Sequence, residues 1–379
     1  MSDIQSLFHT FERSDQKKNW AGWTSPRMHF YNNDSIIPDV PFGEEFLIAL
    51  RPETMDIPHI HIGAVNLFLF LPADMTRMFD DVFEVDICLG DAANHMEIYH
   101  ITKPSVVAVP AGVFHCPIYY KKLNGAVNTL LHYKGSTQGR VYPRNKPNGE
   151  EEWIYSRPKG MPQCKRDPSK KCTICGLCYT RADETPEDVA RYMQPFYDRA
   201  SNEGKYKDCI YEIQPDYHKL GDAVMNPRLA FKGRANMPNT DEQLSFNIVT
   251  KPCVLGDEKP FTNGQIGEFL WFSGADAVDP WASFDAEIEV SIGDDPDNMQ
   301  IITVTEPGVI AVPPGTWRGA INVKRADKPL CFIPFYPRDE ARYKITQEVI
   351  DGKKRLVYSD EKTITDPTPG DELYLQIKR

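Results

Sequence analysis

The chain lacks any run approaching the ~18–20 apolar residues that a membrane helix requires. Its first twenty residues, MSDIQSLFHTFERSDQKKNW, also lack an apolar core of leader-peptide length. The expectation is a soluble, cytoplasmic protein with no membrane partner. A basic stripe is missing too. The 43 Lys and Arg are outnumbered by 54 Asp and Glu, for a net charge of −11. Phosphate binding needs clustered cations, so no nucleic-acid partner is expected. Glycine is scarcer than proline, 24 against 31, which favours short strands and many turns over long helices. Cysteine is not scarce. There are nine, an odd number, and three fall within seven residues. In a cytoplasmic chain that clustering points to metal ligation before disulfides.

At 379 residues, with 41% hydrophobic and 11% aromatic content, the chain is long enough for two domains with real cores. Residues 1–26 read as an N-terminal arm, where Ile4, Leu7, Phe8 and Phe11 have helical spacing. Residues 27–138 read as short strands: Glu45–Leu50, Asn66–Leu71, Glu84–Leu89, Glu97–Thr102, Ser105–Val109 and Val127–Tyr133, separated by turn signals. Residues 139–208 break this texture with a polar, Pro-rich, cysteine-bearing insertion. It ends in one helix with Thr185 as N-cap, Pro186 at its first position, Asp188 completing a box and Val189, Met193 and Phe196 as its buried stripe. Strand texture resumes over 209–338. A charged tail, 339–379, follows, and Tyr343–Leu356 forms an extra element within it.

The second strand-rich region repeats the first. Pro260–Asp276 (PFTNGQIGEFLWFSGAD) answers Pro58–Asp74 (PHIHIGAVNLFLFLPAD) without a gap. Glu287–Gly293 answers Glu84–Gly90, and Val309–Gly315 (VIAVPPG) answers Val106–Gly112 (VVAVPAG). These matches keep their order at offsets of 202 to 203 residues, which implies duplication of a β domain of about 110 residues.

Residues two apart on a strand share a face, so His59 and His61 can aim at one point. His115, after the Pro110–Gly112 turn, is the leading third member. H-x-H followed downstream by P-x-G-x-x-H resembles the two motifs of the cupin superfamily. That resemblance covers residues 27–135 and 209–338. It implies an all-β fold of two double-stranded β-helix (jelly-roll) barrels, a bicupin, with the Cys-rich, partly helical insertion between them. It further implies a divalent transition metal (Fe, Zn, Ni or Mn) on His59, His61 and His115. The family's glutamate ligand is replaced by Asn66, a weak oxygen ligand or none. Three neutral imidazoles would leave the ion at full charge and favour a small anionic substrate.

In the second copy the corresponding residues are Phe261, Asn263, Glu268 and Arg318. No transition metal is expected there. Arg318 could bind an anion, or could pair with Glu268 and plug the barrel. Cys164, Cys172, Cys175 and Cys178 offer four thiols, with zinc and an iron–sulfur cluster as the alternatives. The resemblance implies a metal-dependent enzyme (a dioxygenase, isomerase or lyase), with an oxygenase suggested by known three-histidine cupins. The other open reading is a non-enzymatic metal- or ligand-binding sensor scaffold. A homo-oligomer, a dimer, is the expected assembly.

Overall fold

The computed structural model describes residues 4–14, 22–24, 27–32, 37, 42–56, 58–80, 83–135, 140–145, 151–156, 185–256, 259–263, 267–338, 344–358 and 364–365. Strands dominate, and the single α-helix among these residues is Pro186–Arg199. No helix among them is long and apolar enough to cross a membrane.

The chain divides into two compact units. One comprises Glu12–Asn33 and Val40–Ile213. The other comprises Met1–Phe11, Asp34–Asp39 and Gln214–Arg379. In the first, a seven-stranded sheet faces a four-stranded sheet, with a three-stranded sheet beside the latter. Neighbouring strands within these sheets pair antiparallel. The core lies between the sheets. Leu47, Phe68, Phe70 and Val107 come from the large sheet, and Val85, Ile87, Leu89 and Ile118 from the small one. The second unit repeats the arrangement, with Leu270, Phe272 and Ile310 against Ile288, Val290 and Ile321. Each such side chain contributes about 1.5–3 kcal/mol on burial. Strand Ala64–Pro72 is buried along nearly its whole length. A strand covered on both faces needs a continuous apolar run, which is why AVNLFLFLP does not alternate.

The repeat extends beyond the motifs that reveal it in sequence. Arg140–Asn145 and Glu151–Ser156 form a hairpin, and its first strand pairs with Ile60–His61. Lys344–Ile350 and Lys353–Tyr358 form the matching hairpin, paired with Phe261–Asn263. The insertion therefore opens, and the tail begins, with strands that belong to the barrels.

The arm does not form the helix its spacing predicts. Ile4–Leu7 is a single 3₁₀ turn, and Phe8–Thr10 is a strand pairing with Gly308–Val312 of the second unit. Burial of Ile4 and Phe11 in that unit outweighs the weak local preference. The equivalent strand 202 residues later, Ile210–Glu212, pairs with Ser105–Val109 of the first unit. Each copy thus gives its leading strand to the other copy's barrel.

The helix is capped as its sequence requires. The Thr185 hydroxyl accepts from Asp188 N at 3.2 Å, and the Asp188 carboxylate accepts from Thr185 N at 3.1 Å. Val189 and Met193 are buried and Phe196 half-buried against Cys88, Met96, Phe114 and Tyr119, on the outer face of the four-stranded sheet.

Candidate metal centre

His59, His61 and His115 meet at one end of the first barrel. His59 forms an isolated antiparallel bridge with His115, its N to His115 O at 3.1 Å and the return bond at 3.0 Å. Gly112 N donates to His61 O at 3.0 Å, tying the P-x-G turn to the histidine strand. Strand Phe114–Leu123 is bulged between His115 and Ile118. Inside the bulge Cys116 takes φ 69°. A left-handed non-glycine residue costs about 1–2 kcal/mol, and bulges re-aim neighbouring side chains. The duplicated strand Trp317–Ala326 is irregular at the same place, beside Arg318.

The three histidines are 1–2% exposed. Their ring centroids lie 4.3 Å (His59–His115), 5.1 Å (His59–His61) and 5.3 Å (His61–His115) apart. One nitrogen of each lies within 4.8 Å of the others. His115 Nδ1 donates to Val113 O at 3.2 Å, which leaves Nε2 as the acceptor for Asn66 Nδ2 at 3.0 Å. Asn66 is 1% exposed, and its Oδ1 finds no hydrogen-bond partner among the described residues. Three buried imidazoles with the Asn66 amide beside them are a donor set that suits a divalent transition ion.

Two features of this end of the barrel were missed by sequence reasoning. The first is Asp56, whose Oδ1 lies 4.0 Å from His59 Nδ1, with side chains 9% and 3% exposed. The second is a polar cluster on the interior face. Cross-strand partners share a face, and Phe68 pairs with Leu131, Leu131 with Glu45, and Glu45 with His29. Glu45 therefore lies two strand spacings, about 10 Å, along the sheet from Phe68. The Phe68 ring packs edge-on to His115 at 5.7 Å. Arg27 Nη1 donates to Glu45 Oε2 at 2.5 Å, and Tyr31 donates to Oε1. The available signal was RMHFYN, in which polar Arg27, His29 and Tyr31 alternate with apolar Met28 and Phe30.

The second barrel holds an ion pair at the matching place. Arg318 Nε and Nη2 donate to Glu268 at 2.7 and 3.0 Å, and Nη1 donates to Gly319 O at 3.1 Å. Tyr336 donates to Glu268 at 2.7 Å, and the Phe261 ring lies 4.5 Å from the guanidinium. Burial alone would lower the Arg318 pKa, but Glu268 and Tyr336 more than offset it and hold the group charged. The space bounded by Phe261, Asn263, Glu268, Val312, Pro313, Thr316 and Arg318 leaves no room for a water molecule. Every guanidinium nitrogen is engaged within the protein. The geometry therefore carries the plugging reading of Arg318 and not the anion-binding one.

His132 faces away from the histidine cluster, since it pairs with Leu67 while its neighbour pairs with Asn66. It is satisfied by Glu44 at 2.8 Å. The face bearing Glu84, Asp86 and Cys88 reads from sequence as polar or partly solvated. Glu84 is partly exposed beside Lys122, whereas the helix covers Asp86, which is 2% exposed and accepts from Tyr197. Of the five remaining cysteines, Cys88, Cys116 and Cys331 are buried and Cys209 and Cys253 half-buried. Cys164, Cys172, Cys175 and Cys178 lie outside the described residues.

No protein-family model and no curated protein sequence matches the chain. Solved structures do. A serine-to-alanine variant of Bacillus subtilis oxalate decarboxylase aligns at TM-score 0.51 and 9% identity, covering 87% of this chain and 78% of that one. The Bacillus subtilis oxalate decarboxylase studied for its Mn(II) centres aligns at 0.50 and 10%, over 87% and 78%. A third oxalate decarboxylase structure, concerned with proton-coupled electron transfer, aligns at 0.50 and 9%, over 88% and 78%. At such identity the likeness is one of fold. Together with the two repeated barrels and their jelly-roll pairing, it makes this chain a bicupin in fold.

Proposed function

We propose that the first barrel is the centre of a metal-dependent enzyme acting on a small organic anion. His59, His61 and His115 would hold a divalent transition ion, with Asn66 beside it. The observation that carries this reading is the convergence of three buried imidazoles with nitrogens within 4.8 Å of one another. The fold neighbours add support, since they are oxalate decarboxylases and one is named for Mn(II) centres. When bound, the ion would supply Lewis acidity, or an O₂-binding centre if the reaction is an oxygenation.

The residues of the chain have separable roles in this reading. As neutral donors the histidines would leave a bound ion net positive and able to attract a carboxylate-bearing substrate. Asn66, being an amide, adds no negative charge at the position where the resemblance leads one to expect glutamate. Glu45, fixed by Arg27 and Tyr31 on the interior face, would be the acid–base group on the barrel's interior wall. Phe68 packs edge-on against His115 and would present an apolar wall to the site.

The test is metal content. The protein purified without oxygen should hold one ion that is absent from a His59→Ala/His61→Ala variant, by elemental analysis. Comparing the two separates a barrel ion from any held by the four clustered cysteines. A wild type without metal, or equal content in the variant, refutes the assignment. A loaded protein that turns over no small mono- or dicarboxylate, with or without O₂, supports the binding-scaffold reading instead.

A further inference from the structure

We infer that Asp56 orients His59 and balances the charge of the bound ion from outside its coordination sphere. This rests on the metal-centre reading above. Asp56 sits in the link between Glu53–Met55 and Ile60–His61 with φ 58°, a left-handed conformation. Asp and Asn tolerate that region better than other side-chain-bearing residues. The turn places its carboxylate behind the His59 ring, 4.0 Å from Nδ1, in a site where both side chains are more than nine-tenths buried.

Two consequences follow from that placement. A carboxylate on the Nδ1 side favours the Nδ1–H tautomer and leaves Nε2 with its lone pair for the cluster. His115 takes the same tautomer by a different route, through the Val113 carbonyl, and its Nε2 accepts from Asn66 Nδ2. The second consequence concerns charge. Asn66 supplies none at the position where the resemblance implies a ligating glutamate. Asp56 returns one negative charge to the centre while occupying no coordination position. A bound ion would be partly neutralised without the carboxylate serving as one of its ligands.

Asp56→Asn is a clean test, because asparagine matches aspartate in size and in tolerance of a positive φ. Zn(II) and Mn(II) would be titrated against a chromophoric chelator. The expected loss is about 10–100-fold in affinity, the usual effect of removing a group that orients a ligand, with the Tm of the ion-free protein unchanged. Adding Asn66→Glu should restore affinity by returning the carboxylate as a ligand. Nitrogen-15 spectra of labelled histidine should show the His59 tautomer shifting in the single variant. Wild-type affinity and an unchanged tautomer in Asp56→Asn overturn the inference, whereas loss of binding in His59→Ala/His61→Ala still upholds the metal centre. Absence of binding in the wild type overturns both. An equal fall in Tm and affinity would make Asp56 a turn residue only.

Discussion

Replacing Glu268 by Gln should be among the most destabilising single changes in the second barrel, although it removes no volume. Glu268 and Arg318 form a two-point ion pair at 2.7 and 3.0 Å, with side chains 2% and 7% exposed. The substitution leaves a guanidinium buried without its counter-charge. Breaking a buried pair in this way costs about 3–5 kcal/mol. At about 2–4 °C per kcal/mol for a unit of this size, the unfolding midpoint of the second unit should fall by about 6–20 °C, read by calorimetry. The same physics gives the opposite result for joint replacement. Glu268→Leu with Arg318→Met removes both desolvated charges, and should lie within about 1 kcal/mol of wild type or above it. The non-additivity of that double-mutant cycle is the measured coupling. A shift below about 2 °C for Glu268→Gln would mean that the pair is solvated, and that the second barrel is not plugged as described.

Two further outcomes bear on the helix that covers the first barrel. Tyr197→Phe removes a donor from Asp86, leaving its carboxylate to His100 Nδ1 at 2.6 Å and Lys121 Nζ at 3.4 Å. The loss should cost about 1–3 kcal/mol and raise proteolysis within Pro186–Arg199. In the native protein, Cys88, Cys116 and Cys331 should resist alkylation at pH 8. All three are buried. Burial, with Asp86 adding to it at Cys88, pushes the Cys88 thiol far up, and burial does the same at Cys331. Among the five cysteines of the described residues, mass mapping should place the first labels on half-buried Cys209 and Cys253, and rapid labelling of Cys88 would mean that the helix does not cover that sheet.

Much of this architecture can be read from the residues, and the failures have physical causes. Strand Ser105–Val109 and the capping of the helix by Thr185 and Asp188 are local, set by β-branching and by a side chain reaching its own backbone. The histidine cluster was legible because alternation within H-x-H is also local. The exchange of Phe8–Thr10 and Ile210–Glu212 between the copies was not legible. Three-residue strands carry no period, and their partners lie about 300 residues later in one case and about 105 earlier in the other. The burial of Asp86 was not legible, because Glu287 and Glu289 recur at the matching strand of the second copy and suggest a polar or partly solvated face. The helix covers Asp86, whereas Glu289 of the second copy stays half-buried against Asn322 and Lys324. Asp56 escaped because the turn that aims its carboxylate at His59 has no spacing rule.

The two barrels are best understood as two answers to one electrostatic problem. The same fold twice creates a buried position between a short strand, a bulged strand and the long central strand. A position so lined by polar groups is stable only when its charges are paired or its donors satisfied. In the second copy the cation is covalent: the Arg318 guanidinium engages the glutamate that the resemblance expects as a ligand, and Phe261 covers it. That explains why Glu268 persists where all three histidines are gone. With arginine fixed there, removing the carboxylate would strand a charge. In the first copy the proposed cation is exchangeable, and neutral Asn66 can replace a carboxylate without stranding anything, because the ion can leave. On this argument the two substitutions at matching positions are linked to their surroundings and not interchangeable. Asn66→Glu is tolerable in the first barrel when an ion is present, whereas Glu268→Asn in the second is not, whatever the solution contains.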